Sequence, residues 1–333
     1  MKRQIETVRP VPTPSMMFNH ESIVGGLPLA HLSFLYGPTG SWKSTFLIET
    51  AGIVQKLGCI AKWYNEERRY TDKWAYYYGV DVGKIELSKN RTAIELFESL
   101  TMDLDSEDNP DLRIVVVDSL MGVMYVRKRK KKRDEDEGDE KGIEDSMHEK
   151  ASMSRFLKEA IPFVTGAMKA REKRGMVVPA VAFTNHFKVN PMAMFTKPTY
   201  MPGGSTIYHE AQMIIEMVVS GRVSKQVGGK KLVVGCTVKG RFEKNSCDIE
   251  AQNNTFEFDV FTRKNNTAPV GINKGMDRLK TGLLTGTIVQ PVKGAVYEFD
   301  RESFKTEATC LRYLAEMEFK EAYEKLLGKK IAL

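Results

Sequence analysis

The stretch Gly37-Pro38-Thr39-Gly40-Ser41-Trp42-Lys43-Ser44-Thr45 decides how this chain reads. It follows the apolar run 32–36 and precedes Phe46-Leu47-Ile48, an apolar pattern that suits a helix. A strand emptying into a small-residue loop that ends in Lys-Ser and opens a helix is the layout of a phosphate-binding P-loop. Successive backbone N–H groups ring an anion there, and the helix turns its positive end towards it. Residues 37–45 then line a nucleotide, with Lys43 reaching the outer phosphates and the Ser44 hydroxyl holding Mg²⁺. Trp42 departs from the pattern, which has glycine before the lysine.

Outward from this loop, strand-like runs alternate with helical patterns from Gly25 to about Gly271. That alternation predicts an α/β fold with a mainly parallel central sheet flanked by helices. The clearest runs are 32–36, 59–64, 113–117 and 177–184. Between 153 and 168 apolar residues recur at three- and four-residue steps, so a helix is expected, with Pro162 kinking it or delaying its start. After Ala211 the texture predicts shorter strands separated by Gly and Asn, as an antiparallel extension. Residues 273–333 read as a small C-terminal α+β lobe ending in a helix. Its apolar stripe is Leu311, Leu314, Ala315, Phe319, Ala322, Tyr323 and Leu326, and Gly328 is its stop. Residues 1–24 form a Pro-punctuated arm too short to fold alone, and 25–272 form the core.

Composition narrows the function. The 333 residues are 42% hydrophobic, enough for one large core and a smaller lobe. No apolar run is long enough to cross a bilayer and the N-terminus lacks a signal-peptide stretch, so a cytoplasmic location and no membrane partner are expected. The four cysteines and five histidines show neither metal-ligand nor disulfide spacing. The net charge of +7 leans towards a polyanionic partner. A run of seven cations, 127–133, followed by the acidic run 134–140, reads either as a solvated loop or as a nucleic-acid contact.

Arg113-Ile114-Val115-Val116-Val117-Asp118 is a buried parallel strand that delivers an acid at its C-terminal end, where open sheets bind ligands. Asp118 can therefore orient Mg²⁺ beside Ser44. Run 59–64 leads into Asn65-Glu66-Glu67, and either glutamate can activate water for attack on a γ-phosphate. Trp74 can stack on a purine base. After His186, the segment 187–205 is a long loop with scattered cations, apolar residues and a closing Gly-Gly. Such a loop suits either contact with unpaired bases or a lid over the nucleotide.

The order P-loop, strand–Glu67, strand–Asp118, Phe183-Thr184-Asn185-His186 and Gly203-Gly204 resembles the RecA family of ATP-dependent DNA strand-exchange proteins, over about residues 22–330. Ser22-Ile23-Val24-Gly25-Gly26-Leu27-Pro28 is similar to the family's entry to the P-loop. Spacing from Glu67 to Gly79-Val80-Asp81 matches that from the family's catalytic glutamate, which selects Glu67 as the general base and Trp74 as the adenine-stacking aromatic. An aromatic before the P-loop lysine and the Asn-His pair resemble bacteriophage recombinases of the UvsX type. The resemblance implies a viral protein in the host cytoplasm that uses ATP and Mg²⁺.

It further implies DNA contact by Lys188, Met194, Phe195, Gly203, Gly204 and Ser205. A second DNA loop is expected near 126–151, and His186 is expected to sense the nucleotide. Val238-Lys239-Gly240-Arg241 resembles the segment that one RecA-type subunit inserts into its neighbour's ATP site, so Lys239 and Arg241 would complete catalysis across a helical homo-oligomeric filament. Polymerisation is then expected to rest on a strand near 4–8. Implied partners are single-stranded DNA, homologous duplex DNA, and single-strand-binding and mediator proteins. Two other readings use the same residues: a RecA-core helicase or motor, and a catalytically weak recombinase paralogue that regulates by binding DNA.

Overall fold

The computed structural model describes residues 8–88, 90, 92–120, 143–189, 199–227, 229–262, 270–290 and 296–333. Pro10–Val11 (β1) pairs antiparallel with Leu27–Pro28 (β2) around helix Met16–Glu21 (α1). Leu32–Gly37 (β3) runs into the P-loop and helix Lys43–Lys56 (α2). Ile60–Asn65 (β4), Asp72–Tyr77 (α3), Glu86–Ser88 (β5), Ala93–Asp105 (α4) and Leu112–Asp118 (β6) follow. Helix Ile143–Lys173 (α5) leads to Ala180–His186 (β7) and the short pair Lys188–Val189 (β8) and Thr199–Tyr200 (β9). Ser205–Glu210 (α6) then precedes Ala211–Val227 (β10), Lys230–Asn245 (β11), Thr255–Phe261 (β12) and Gly271–Ile272 (β13). The last part holds Lys274–Thr285 (α7), the hairpin Tyr297–Phe299 (β14) with Glu302–Phe304 (β15), Glu307–Glu316 (α8) and Phe319–Leu327 (α9).

One nine-stranded sheet carries the molecule, in the order β5-β4-β6-β7-β3-β10-β11-β12-β13. Strands from β5 to β10 pair in parallel and those from β10 to β13 antiparallel. β3 and β4 are consecutive in chain but separated by β6 and β7 in the sheet. The crevice left by that crossover opens at the C-terminal strand ends, where the P-loop emerges.

Helices cover both faces. One face packs α2 and α1, with Phe18 about 5 Å from the rings of Phe46, Phe242 and Phe256. The other packs α4 and α5, with Phe34 stacked on Phe183 at 4.8 Å. α1 also reaches the C-terminal part, where Met16 joins Leu279, Leu314 and Tyr323 in a third cluster. The buried Asp277 accepts from Ser15 Oγ at 2.7 Å and from the Met16 amide at 2.5 Å, tying α7 to the start of α1.

Three sequence expectations change. α5 begins at Ile143 and runs through Pro162, so proline does not delay its start. The first two strands from Ala211 are 17 and 16 residues long rather than short, while β12 and β13, with 7 and 2 residues, are short as expected. Their glycines lie inside strands: a Cβ at Gly240 would meet the Phe256 ring at 2.0 Å, and one at Gly235 the Val260 carbonyl at 1.8 Å. These glycines permit close packing instead of ending elements. The C-terminal apolar stripe is split over α8 and α9, because Met317 takes an extended conformation between them. Arg278 Nη1 donates to the carbonyls of Leu314 (2.5 Å) and Met317 (2.7 Å), which satisfies the carbonyls freed at that break. Gly328 ends α9 in the left-handed region, as expected.

Candidate active site

Four strand ends and one helix N-terminus converge on a single cavity. It is lined by Gly40, Ser41, Trp42, Lys43, Ser44, Thr45, Glu67, Arg69, Trp74, Asp118, Thr184 and His186. No side chain caps the first turn of α2, so its N–H donors face this space. Gly37 and Pro38 turn carbonyls inward: the buried Lys43 Nζ donates to Gly37 O at 3.1 Å, Pro38 O at 2.9 Å and Ser41 Oγ at 3.1 Å. Burial pulls the Lys43 ammonium down to about 8, opposed by the charges of Glu67 and Asp118. Thr39 and Gly40 are exposed at the loop tip.

Trp42 is the N-cap of α2 with φ 70°, in the left-handed region. That conformation is the reason a P-loop has glycine here; a side chain costs about 1–2 kcal/mol. Trp42 offsets this by packing edge-on to Tyr78, with ring centroids 6.4 Å apart, and by hydrogen-bonding Cys236 through its indole. Trp74 stands beside Tyr78, Tyr70 and Trp63, each ring 6.0 Å away. It also borders a second cavity with Thr71, Lys73, Tyr77, Tyr78, Thr262 and Val270.

Asp118 ends β6, nearly buried, and its Oδ1 accepts from Ser44 Oγ at 2.8 Å and Thr184 Oγ1 at 2.6 Å. Burial raises its carboxyl, while those two hydroxyls pull it back. The adjacent glutamates separate, as alternating side chains at a strand end must. Glu66 is buried away from the cavity and accepts from the Asn90 amide (3.3 Å) and Nδ2 (3.0 Å). Glu67 faces the cavity. Its Oε1 accepts from Ser119 Oγ at 2.6 Å and His186 Nε2 at 2.7 Å, and its Oε2 lies 3.3 Å from Arg69. The His186 hydrogen bond, with that of Ser119, holds the Glu67 carboxyl down at about 2 against the effect of burial. A carboxylate so held is an acceptor only, so His186 Nε2 carries the proton of this bond.

Sequence reasoning missed the supporting contacts of Ser119, Thr184 and Arg69. Ser119 directly follows Asp118, through a cis peptide bond, and Thr184 precedes Asn185-His186 at a strand end; those positions were the available signal.

The remaining candidates lie elsewhere. Buried Asn185 donates to Pro202 O at 3.0 Å and accepts from the His186 amide at 2.9 Å, linking β7 to the far end of segment 187–205. Lys188 sits in β8, paired with Tyr200. Gly203 is buried against Ile207, whereas Gly204 and Ser205 are exposed at the start of α6. Met194 and Phe195 lie outside the described residues, as do the charged block 127–140 and residues 4–7 of the expected polymerisation strand. Lys239 and Arg241 occupy alternate positions of β11 and do not line the cavity. Lys239 is exposed, and Arg241 Nη2 lies 3.5 Å from Glu216 Oε2.

The RecA N-terminal domain pattern matches residues 1–263. This chain belongs to that RecA family. Protein RecA of Aquifex aeolicus is 28% identical over 262 residues, covering 78% of this chain and 66% of the relative. Protein RecA of Aquifex pyrophilus is 27% identical over 263 residues, covering 78% and 67%. Protein RecA of Symbiobacterium thermophilum is 25% identical over 241 residues, covering 72% and 61%. The match thus spans about two thirds of the length of these RecA relatives. The parallel sheet with the P-loop at its switch point is the RecA-like core expected from the sequence. Among the described residues no helix is long and apolar enough to cross a membrane.

Proposed function

We propose that this chain is a DNA-dependent ATPase of the recombinase type, which assembles head to tail on single-stranded DNA and exchanges strands with a homologous duplex. The observation that carries the reading is the Glu67–His186 contact at 2.7 Å. It joins a carboxylate in the phosphate cavity to the residue that opens segment 187–205, in a chain with the RecA N-terminal pattern.

The donors present suit a magnesium nucleotide. Ser44 Oγ and Asp118 Oδ1 are hard oxygen ligands 2.8 Å apart. A bound Mg²⁺ would neutralise charge on the outer phosphates of ATP. Lys43 exchanges its loop carbonyls for phosphate oxygens, and Trp74 packs against the base. Glu67 holds two donors on Oε1, and Arg69 lies beside Oε2, so at rest both lone pairs of Oε1 are taken. Releasing His186 frees Oε1 to accept the proton of the attacking water. DNA contact through Lys188, Met194, Phe195, Gly203, Gly204 and Ser205 would supply that release, transmitted along β8 and Asn185. Lys239 and Arg241 of a second copy complete the site as cations facing the γ-phosphate.

In this reading residues 1–24 form an assembly arm, 25–272 the catalytic core with its DNA loops near 126–151 and 187–205, and 273–333 an accessory lobe. Trp42 and the Asn185-His186 pair support kinship with bacteriophage UvsX-type recombinases, hence a viral protein working in a host cytoplasm with single-strand-binding and mediator proteins.

ATP turnover with and without single-stranded DNA tests the scheme, together with electron microscopy of the protein on DNA with a non-hydrolysable analogue. Stimulation by DNA, its loss in Glu67→Gln, and filaments are expected. Equal turnover with and without DNA, unchanged in Glu67→Gln, would reject it.

A further inference from the structure

Strands β10 and β11 carry a bulge whose location connects two parts of the molecule. Ile214 faces Lys244 and Ile215 faces Phe242, so Glu243 is the extra residue, with no partner across the pair. In a regular strand neighbouring side chains point to opposite faces. Here Phe242 is buried beside Phe18 and Phe256, while Glu243 and Lys244 both turn to the other side and meet α6. A bulge re-aims side chains in this way.

The contacts are specific. Lys244 Nζ donates to Tyr208 O at 2.5 Å and His209 O at 3.3 Å, two carbonyls in the last turn of α6. Tyr208 Oη donates to Glu243 Oε1 at 3.4 Å, and Tyr36 Oη donates to Glu243 Oε2. A six-residue helix satisfies few of its own carbonyls, so a cation at its C-terminal end matters to its position. Three residues upstream of Lys244, Arg241 lies in a cross-strand row with Glu216 and Tyr36. Tyr36 is the last residue before Gly37 of the P-loop. One end of the clamp is therefore the helix that follows Gly203-Gly204. The other is the strand that carries Lys239 and Arg241.

We propose that Glu243 and Lys244 are positioning residues: they lock α6 to β11, so that the state of segment 187–205 sets where Lys239 and Arg241 stand relative to a neighbouring copy. This rests on the reading above, in which that segment contacts DNA and those two cations serve the adjoining ATP site. Lys244 supplies the stronger, charge-assisted grip, and the longer Tyr208–Glu243 bond a weaker one.

The test uses the full chain with Lys244→Met, Lys244→Arg and Tyr208→Phe. Steady-state ATP hydrolysis is measured with and without poly(dT), and binding of fluorescein-labelled poly(dT) is followed by anisotropy. In Lys244→Met the poly(dT)-independent kcat, the KM for ATP and the affinity for poly(dT) stay at wild-type level, while the stimulated kcat falls about tenfold. Lys244→Arg restores most of the stimulation, and Tyr208→Phe loses part of it. Unchanged stimulation in Lys244→Met and Tyr208→Phe overturns the proposal, as does a parallel fall of basal and stimulated rates, which marks a merely structural role. If Lys244→Met does not fold, Tyr208→Phe decides by the same criteria. A wild-type protein that poly(dT) does not stimulate refutes the functional reading itself, an outcome separate from variants that keep normal stimulation.

Discussion

His186 Nε2 donates to Glu67 Oε1 at 2.7 Å, the same oxygen that accepts from Ser119 Oγ at 2.6 Å. Two donors on one carboxylate oxygen keep Glu67 ionised and fix its direction, but they also fill both lone pairs of that oxygen. In the proposed scheme the resting site is held by these bonds, and activation is the removal of one of them.

That gives a first prediction. Replacing Glu67 by Gln removes the proposed base but keeps a side chain of similar shape and hydrogen-bonding reach. Phosphate release falls by about 10²–10⁴-fold, the range general-base catalysis supplies. Binding of a fluorescent ATP analogue stays close to normal, because Lys43, Ser44 and Asp118 are untouched. Equal loss of both would mean that Glu67 holds the nucleotide instead.

The second concerns pH. In the proposed scheme Glu67 must be deprotonated, and in the DNA-free resting enzyme the His186 bond holds its carboxyl at about 2, so kcat/KM measured without DNA has no acid limb between pH 4 and 7 from this group. His186→Ala removes the largest lowering influence, and the Glu67 carboxyl rises towards its ordinary range near 4.5 or, through burial, above it. A profile of kcat/KM against pH without DNA then falls for the variant as pH drops below about 5, where the wild type stays flat. The depressed carboxyl also has a sign in stability. It contributes fully above the ordinary value, and that contribution declines as pH falls from about 4.5 and is gone below about 2.

Much of this site is legible in the sequence. Gly37 to Ser44, Glu67, Asp118 and His186 all sit at the ends of apolar strand runs, and a parallel sheet gathers such ends at one edge. What the sequence hides is the second layer. Ser119 meets Glu67 across 52 residues and Thr184 meets Asp118 across 66, and nothing local in Ser or Thr signals such a partner. The length of β10 and β11 was obscured by Gly221, Gly235 and Gly240, which read as breaks although they lie inside strands, the last two in close packing. The split between α8 and α9 was hidden because an apolar stripe continues across it, and only Arg278, from another helix, makes the break affordable.

Trp42 carries a third prediction. Its φ of 70° penalises any residue with a Cβ, so Trp42→Ala loses the packing on Tyr78 and keeps the strain, whereas Trp42→Gly loses the packing and sheds the strain. Glycine is ordinarily the worse residue for stability, but here Trp42→Gly should be about 1 kcal/mol more stable than Trp42→Ala. Chemical denaturation of the two variants measures the difference. A more stable Trp42→Ala would show that the left-handed conformation is not what this position demands.

Glu49 provides a fourth. It lies on α2, buried against Gly271, with Oε1 lacking a hydrogen-bond partner, and burial raises its carboxyl to about 8 despite Lys274 and Lys56. The folded state keeps a proton that the unfolded chain releases above about 4.5, so this group's contribution declines as pH rises from about 4.5 to 8. Glu49→Gln should flatten that stretch of the Tm-versus-pH curve, relative to wild type, in thermal melts from pH 5 to 8.5. An unchanged slope would mean that Glu49 is ionised in the folded protein.

The last prediction separates a site within one copy from a site shared by two. Arg241 does not line the cavity that holds Lys43 and Glu67, so in the proposed filament it acts on the next copy. Glu67→Gln and Arg241→Ala proteins are each inactive alone under that scheme, for different reasons. Mixed in equal amounts, some junctions pair an intact Glu67 from the Arg241→Ala copy with an intact Arg241 from the Glu67→Gln copy. Random head-to-tail assembly makes about a quarter of all junctions of that kind, so DNA-stimulated turnover should recover to about a quarter of the wild-type rate. Activity that stays at the level of the separate variants would mean that Glu67 and Arg241 must act from the same chain, and the shared site would have to be abandoned.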